Sequence, residues 1–233
     1  MSIFTYTPDR PATESSSPRT RITRFGTAEH RATFGINPFR DTWNVSFSNR
    51  SIDDISEIHA FLSDSDGRAS FTWTTPFDET AQFVCSEWTA KVESCNYRTI
   101  EAEFELRYDA GTEGIAAPAG DAITFIWIPD FTADLRYKTN AQTMQLGDGY
   151  TQRFKFGLNA QEEGWSLQFR NRTNAERNAI RAFLRQACGR TAFNWTDPLS
   201  GITGRYVCAE WSATYNNHNN NDLQMTLRRV FEP

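Results

Sequence analysis

The chain has 233 residues, a mass of 26.7 kDa and a formal net charge of -5. No apolar run approaches the roughly 20 residues of a membrane-crossing helix, a hydrophobic content of 39% is that of a folding chain, and the acidic balance removes the broad basic footprint of a nucleic-acid binder. The length suits one large domain or two of ordinary size. Met1 to Thr20 is polar and proline-rich, without the basic start and apolar stretch of a secretory signal, so the chain is expected to remain in the cytoplasm where it is made.

Ile3 to Tyr6 reads as a strand opening closed by Pro8-Asp9. Trp43-Asn44-Val45-Ser46-Phe47 alternates at the period of a half-buried strand. Ser51 stands three residues before Asp54, the spacing of a helix N-cap, and Ile52, Ile55, Ile58, Phe61 and Leu62 then fall on one helical face. Gly67 is expected to end that helix in a left-handed conformation. Strands follow at Phe71-Thr72-Trp73, at Phe83-Val84-Cys85 beyond Pro76, and at the alternating run Ile100 to Leu106, where Glu101, Glu103 and Glu105 share one face, solvated or turned toward a lumen. Gly111 to Gly120 is rich in Gly and Ala and reads as a linker.

The same text then begins again. Phe4, Pro8 and Asp9 recur as Phe125, Pro129 and Asp130; Phe34-Gly35-Ile36-Asn37 as Phe156-Gly157-Leu158-Asn159; Trp43 and Phe47 as Trp165 and Phe169. Thr173 and Glu176 repeat the helix start, Ile180, Phe183 and Leu184 its apolar face, and Gly189 its stop. Phe193-Asn194-Trp195-Thr196 with Pro198, Val207-Cys208-Ala209-Glu210-Trp211 and Leu223 to Leu227 complete the second copy. Two tandem domains are therefore expected, 1–110 and 122–233, joined by 111–121. Each is predominantly β, a sandwich or partly closed barrel with one packed helix. The surplus of acid lies in the first copy, so electrostatics favour unlike neighbours where copies meet.

A search for chemistry finds none. His30 and His218 are expected in loop tips and His59 in the helix; none has a partner at metal-ligand or triad spacing, and no catalytic, cofactor-binding or metal residues are assigned. Cys85, Cys95, Cys188 and Cys208 match neither a disulfide framework nor a metal knuckle and are expected to be thiols. Leu146-Gly147-Asp148-Gly149-Tyr150 is read as a hairpin turn built on Asp-Gly, not as a phosphate loop. Six of the seven tryptophans form repeat pairs (43/165, 73/195, 88/211) in alternating strands, which marks core positions; the alternative is a tandem β-sandwich carbohydrate-binding module with exposed rings.

Leu146-Gly147-Asp148-Gly149-Tyr150-Thr151-Gln152-Arg153, followed by Gly157-Leu158-Asn159-Ala160, Phe183-Leu184, Phe193-x-Trp195-Thr196-x-Pro198 and Val207-Cys208-Ala209-Glu210-Trp211-Ser212, resembles the minor tail protein M family of lambda-like long-tailed bacteriophages. Copy one keeps much of the pattern and departs from it at Thr27-Ala28-Glu29-His30. The resemblance implies tail-tube-like β domains in a non-enzymatic structural protein of the virion tail tip, assembled in the host bacterial cytoplasm. Members carry one domain and are expected to form six-domain rings, so a two-domain chain would build a pseudo-sixfold ring as a homo-trimer. Implied partners are the major tail tube protein above, the tail-tip hub and other minor tail proteins below, and DNA only in transit through the lumen, with no membrane insertion and no cofactors. Candidate assembly contacts are Asp148, Gly149, Tyr150, Thr151, Gln152 and Arg153, with Asp9, Arg10 and Arg19 in the polar N-terminal stretch.

Overall fold

The computed structural model describes residues 2–25, 28–33, 38–93, 97–107, 123–131, 133–139, 141–155 and 161–231. The expected linker 111–121, the repeated strings at 34–37 and 156–159, Gly26 with Thr27 of the divergent stretch, and Cys95 lie outside these residues.

The first half runs β1 (Ser2–Phe4), β2 (Ala12–Pro18), β3 (Thr20–Phe25), β4 (Ala28–Thr33), β5 (Phe39–Arg50), α1 (Ile52–Ser65), β6 (Phe71–Thr74), β7 (Thr80–Val92) and β8 (Arg98–Arg107). The second runs β9 (Asp134–Thr139), β10 (Ala141–Gln145), β11 (Thr151–Lys155), β12 (Gln161–Arg172), α2 (Asn174–Ala187), β13 (Phe193–Thr196), β14 (Thr203–Asn217) and β15 (Asn220–Arg229). The protein is mainly β, with one helix in each half, as the sequence indicated. Among the described residues the strands do not close into a barrel: an eleven-stranded open sheet runs β1-β6-β7-β8-β5-β2-β14-β15-β12-β9, with β13 on β14. The pairs β3-β4 and β10-β11 form separate two-stranded hairpins.

Alternation along the strands sorts the sheet into two faces. One carries Trp43, Val45, Phe47, Ile100 and Phe104 with their counterparts Trp165, Leu167, Phe169, Leu223 and Leu227, all buried in one hydrophobic cluster beneath the helices. Phe4 is a hub of edge-on contacts, its ring centroid 5.2 Å from Phe61 and 5.3 Å from Phe104, and Phe125 repeats it at 5.4 Å from Phe183 and 5.9 Å from Phe169. Edge-to-face geometry adds about 0.5–1.5 kcal/mol per ring pair beyond burial. Trp43 meets Trp73 at 5.7 Å and Trp165 meets Trp195 at 5.4 Å, all four buried.

Both helix starts are capped where the sequence places the caps. Thr173 completes a capping box: its Oγ1 accepts from the Glu176 N–H at 3.2 Å, and Glu176 Oε2 accepts from the Thr173 N–H at 3.2 Å. Ser51 caps the Asp54 amide without completing a capping box, and at both starts the cap hydroxyl also donates to the carboxylate three residues on. Thr173→Ala is therefore expected to cost about 1 kcal/mol, and more than Ser51→Ala, since only the former ends a reciprocal pair of backbone caps; paired thermal melts check it.

Four readings are corrected. Ile52 sits in the first turn and is exposed, so the apolar face of α1 begins at Ile55. The left-handed turn at each helix end begins one residue early, at Asp66 and Cys188, and continues through Gly67 and Gly189. The strand openings are shorter than their apolar runs: β1 pairs with β6 over three residues, and Thr124 makes only a bridge to Asn194. His30 belongs to strand β4.

Candidate assembly interface

The two halves meet edge to edge. Strand β2 of the first half pairs antiparallel with β14 of the second, from Ala12 opposite Tyr215 to Ser16 opposite Trp211, while its other edge pairs with β5. Within its own half, β9 takes the place of β2: Leu135 lies opposite Trp165 as Glu14 lies opposite Trp43. Likewise β7 is the counterpart of β14, since Cys85 pairs with Phe104 as Cys208 pairs with Leu227. The contact thus joins unlike edges of two similar units. One edge of each kind carries no strand partner among the described residues: the outer edge of β9 and the Trp88–Val92 stretch of β7.

An ionic cluster locks this seam. Arg177, Arg181 and Arg185 recur every four residues along one side of α2 and reach across into the first half. Arg181, 3% exposed, donates to Glu14 Oε1 at 2.7 Å and to both oxygens of Glu79, at 2.9 and 3.1 Å. Arg185 donates to Glu14 at 3.2 Å and to Asp41 at 3.1 Å, and Ser16 hydrogen-bonds Asp41 from β2. The Arg177 guanidinium stacks 3.8 Å from the Phe77 ring centroid, and Phe77 meets Tyr215 at 6.1 Å. Burial pushes the Glu14 carboxyl up, only partly opposed by Arg181 and Arg185. Burial also acts to raise Glu79, but its bonds to Arg181 hold it below the usual carboxylate range. At the far end Gly189 packs so closely on Pro18 that an added Cβ would fall 2.5 Å from Pro18 Cγ.

The face of the sheet opposite the helices is largely polar, with the buried Val84 and Val207 as exceptions. Thr13 and Ser15 of β2, Thr42 and Asn44 of β5, Ser212 and Thr214 of β14, and Gln224 and Thr226 of β15 point to it. Glu101, Glu103 and Glu105 lie there in the first half, where Lys91 contacts Glu101 at 2.8 Å and Arg40 contacts Glu105 at 3.3 Å.

The sequence-selected contacts fall in two places. Asp148 and Gly149 both have positive φ in the turn of the β10-β11 hairpin, closed by Leu146 N–H to Tyr150 C=O at 2.7 Å, and Thr151, Gln152 and Arg153 continue into β11. Tyr150 at its tip is exposed. Asp9, Arg10 and Arg19 flank β2. Asp9 pairs with Arg50 at 3.0 Å, a clamp repeated as Asp130 with Arg172 at 2.9 Å. Arg10 bonds Asn217 at 2.6 Å and lies 5.1 Å from the Tyr215 ring, so it serves the seam; the Arg19 N–H bonds Pro38 C=O at 2.6 Å.

Sequence reading missed Glu14, Asp41, Glu79 and the three arginines. The available signal was three arginines spaced by four on one helix side with no acid at matching spacing to neutralise them. Trp43, Trp73, Trp165, Trp195 and Trp211 are buried and offer no platform for a sugar, whereas Trp88, read as a core position, is only half-buried. Among the described residues no group of three His, Cys, Asp or Glu is placed to hold a metal, and Cys85, Cys188 and Cys208 are buried free thiols. No described helix is long and apolar enough to cross a membrane.

The sequence model of a family described as phage minor tail protein matches residues 2–108 and, a second time, residues 123–231. This chain belongs to the phage minor tail protein family. It is also similar to Tail tip protein M of Escherichia phage lambda, at 30% identity over 90 residues, which is 39% of this chain and 82% of that protein. As a minor tail protein it is a structural component of the phage tail, located in the virion and associated with other tail proteins.

Within this minor tail protein, Glu163 shows how the second half uses the position of Asp41. It accepts from Trp165 Nε1 at 2.8 Å, Tyr206 Oη at 2.7 Å and Arg229 at 2.8 Å, all inside its own half. Burial acts to raise its carboxyl, but Arg229, Tyr206 and Trp165 together hold it below the usual range. A depressed folded value means that its contribution is present above the unfolded carboxylate range, near pH 4.3, and is lost as pH falls through the folded value. Glu163→Gln is expected to cost about 1–2 kcal/mol at pH 7 and progressively less below pH 4, as read from urea melts across that range.

Proposed function

We propose that this minor tail protein forms a ring at the tail tip, with residues 1–110 and 122–233 as its two ring-building domains and three chains in each ring. The observation that supports this reading is the seam itself. A contact between unlike edges of like units is heterologous, and repeating it closes a ring when the rotation allows. The chain already contains one such contact and leaves one edge of each kind open to make the next. Three chains would supply six units with the pseudo-sixfold symmetry of a ring seated on the tail tube.

In that ring the polar sheet face lines the lumen, where the Glu101–Glu103–Glu105 stripe limits adhesion of passing DNA by repulsion. The β10-β11 hairpin, through Asp148 to Arg153, and its β3-β4 counterpart would contact the neighbouring layers, the major tail tube protein on one side and the hub with other minor tail proteins on the other. Assembly would take place in the host bacterial cytoplasm, without enzymatic activity. Light scattering of the purified chain over a concentration series tests the stoichiometry. A limiting mass of three chains is expected; a limit of six would mean twelve units and overturn the three-chain ring.

A further inference from the structure

Resting on the ring reading, we infer that the seam between chains uses the same strand pairing as the seam within the chain but is apolar on the helix-side face, where the internal one is ionic. Its partner is a second copy of this chain, with β9 of one copy laid on the outer edge of β7 of the next. The internal register, Trp211 opposite Ser16 and Tyr215 opposite Ala12, transfers to Trp88 opposite Tyr137, Thr89 opposite Arg136, Ala90 opposite Leu135, Lys91 opposite Asp134 and Val92 opposite Ala133, the Lys91–Asp134 pair lying on the solvated polar face, where an ion pair contributes little.

Both sides of the seam have changed together. His59 stands on α1 where Arg181 stands on α2, and the Glu14 that receives Arg181 is replaced by Leu135. Ser63 stands for Arg185, and Glu163, at the place of Asp41, is already held by Trp165, Tyr206 and Arg229. The contact of Phe77 with Tyr215 becomes Leu199 with Val92, and Arg10, which covers Tyr215, becomes Phe131. Exposure marks the same set. Trp211 is 4% exposed inside its seam, whereas Val92 is 71%, Leu199 76% and Phe131 fully exposed. An apolar set brought together on both open edges is what a buried contact between copies would use, and removing it from water drives association. The ionic set then secures correct neighbours: a second α2 brought to the β9 edge would bury Arg181 against Leu135 without a carboxylate, which is strongly disfavoured.

The test uses the full chain in a Cys95→Ser background carrying Thr89→Cys and Arg136→Cys, which face each other across the inferred seam at a separation a disulfide can span. Oxidation followed by denaturing, non-reducing electrophoresis is expected to give linked chains ending in a closed three-chain species. The control pair Lys91→Cys with Lys138→Cys, on the same face but four residues out of register, is expected to link at least tenfold less. Light scattering of the unmodified chain between 0.1 and 1 M NaCl is expected to show association unchanged or tightened. Association that persists while the in-register pair fails to link, or links no better than the control, overturns the inferred seam and leaves the ring reading intact. Weakening by more than tenfold at high salt overturns its apolar character. No association at any concentration overturns the ring reading, and the inference with it.

Discussion

Arg181→Ala is expected to destabilise the protein by about 3–5 kcal/mol, the usual cost of removing one partner from a buried ion pair. The arginine is not merely one contact of several. Without it, Glu14 at 1% exposure keeps only the longer bond from Arg185, and Glu79 loses its partner across the seam. The damage lies in the stranded carboxylate more than in the lost attraction. Two consequences separate that mechanism from a general packing defect. Burial already raises the Glu14 carboxyl, so the cost of the variant is greatest at neutral pH and shrinks as falling pH protonates that group. The double variant Glu14→Leu with Arg181→Met, which leaves no buried charge on that axis, is expected to recover most of the loss. Urea unfolding at pH 7 and pH 4.5 measures both. A double variant as unstable as Arg181→Ala would locate the defect in packing instead.

Gly189→Ala is expected to cost about 2–5 kcal/mol, the second largest effect, and its counterpart Gly67→Ala only about 1–2. Both glycines sit past a helix end at nearly the same positive φ, +60° and +61°, so both variants carry the left-handed penalty of about 1–2 kcal/mol. Only at Gly189 does the new methyl group enter space held by the Pro18 ring, at 2.5 and 2.8 Å; at Gly67 the nearest atom is Ser86 Cα at 3.4 Å. Pro18 ends β2, so the collision bears on the union of the halves, and overpacking adds about 1–3 kcal/mol. Thermal melts of the two variants side by side give the difference, which isolates the seam because the backbone term is common. Equal losses would show that the seam yields around the methyl group.

Much of the fold was legible because its determinants are local or repeated. Ser51 and Thr173 announced the helices, Asp148-Gly149 the hairpin, and the recurrence of Trp43 and Trp73 as Trp165 and Trp195 the core. What escaped was β2, along with its counterpart β9. Ala12-Thr13-Glu14-Ser15-Ser16-Ser17-Pro18 has no apolar alternation, because its inward residues, Glu14 and Ser16, are satisfied by Arg181 and Asp41 rather than by hydrophobic contacts. Those partners are distant in sequence and invisible to any local pattern. The helix α2 carried the complementary hint in Arg177, Arg181 and Arg185, but a row of arginines on a helix normally reads as a solvated face. Asp9 and Arg10 were selected for their polarity, yet one clamps its own half and the other bonds the far half. The open sheet could not be foreseen, since alternating strands fit open and closed arrangements equally well.

The pairing of β2 with β14 also sets an order of events during synthesis. Residues 12–16 emerge from the ribosome well before the strand that completes their second edge, at 211–215. Until that strand is made, the first half presents a sheet with an uncovered edge, flanked by the buried-to-be carboxylates of Glu14 and Asp41. Contacts of such sequence separation form slowly, and an exposed edge is open to strands from other molecules. The carboxylates serve as gatekeepers over that interval: an apolar strand arriving from elsewhere would have to bury them unpaired, whereas α2, arriving with its own chain, brings the guanidinium groups that make the edge fit to close.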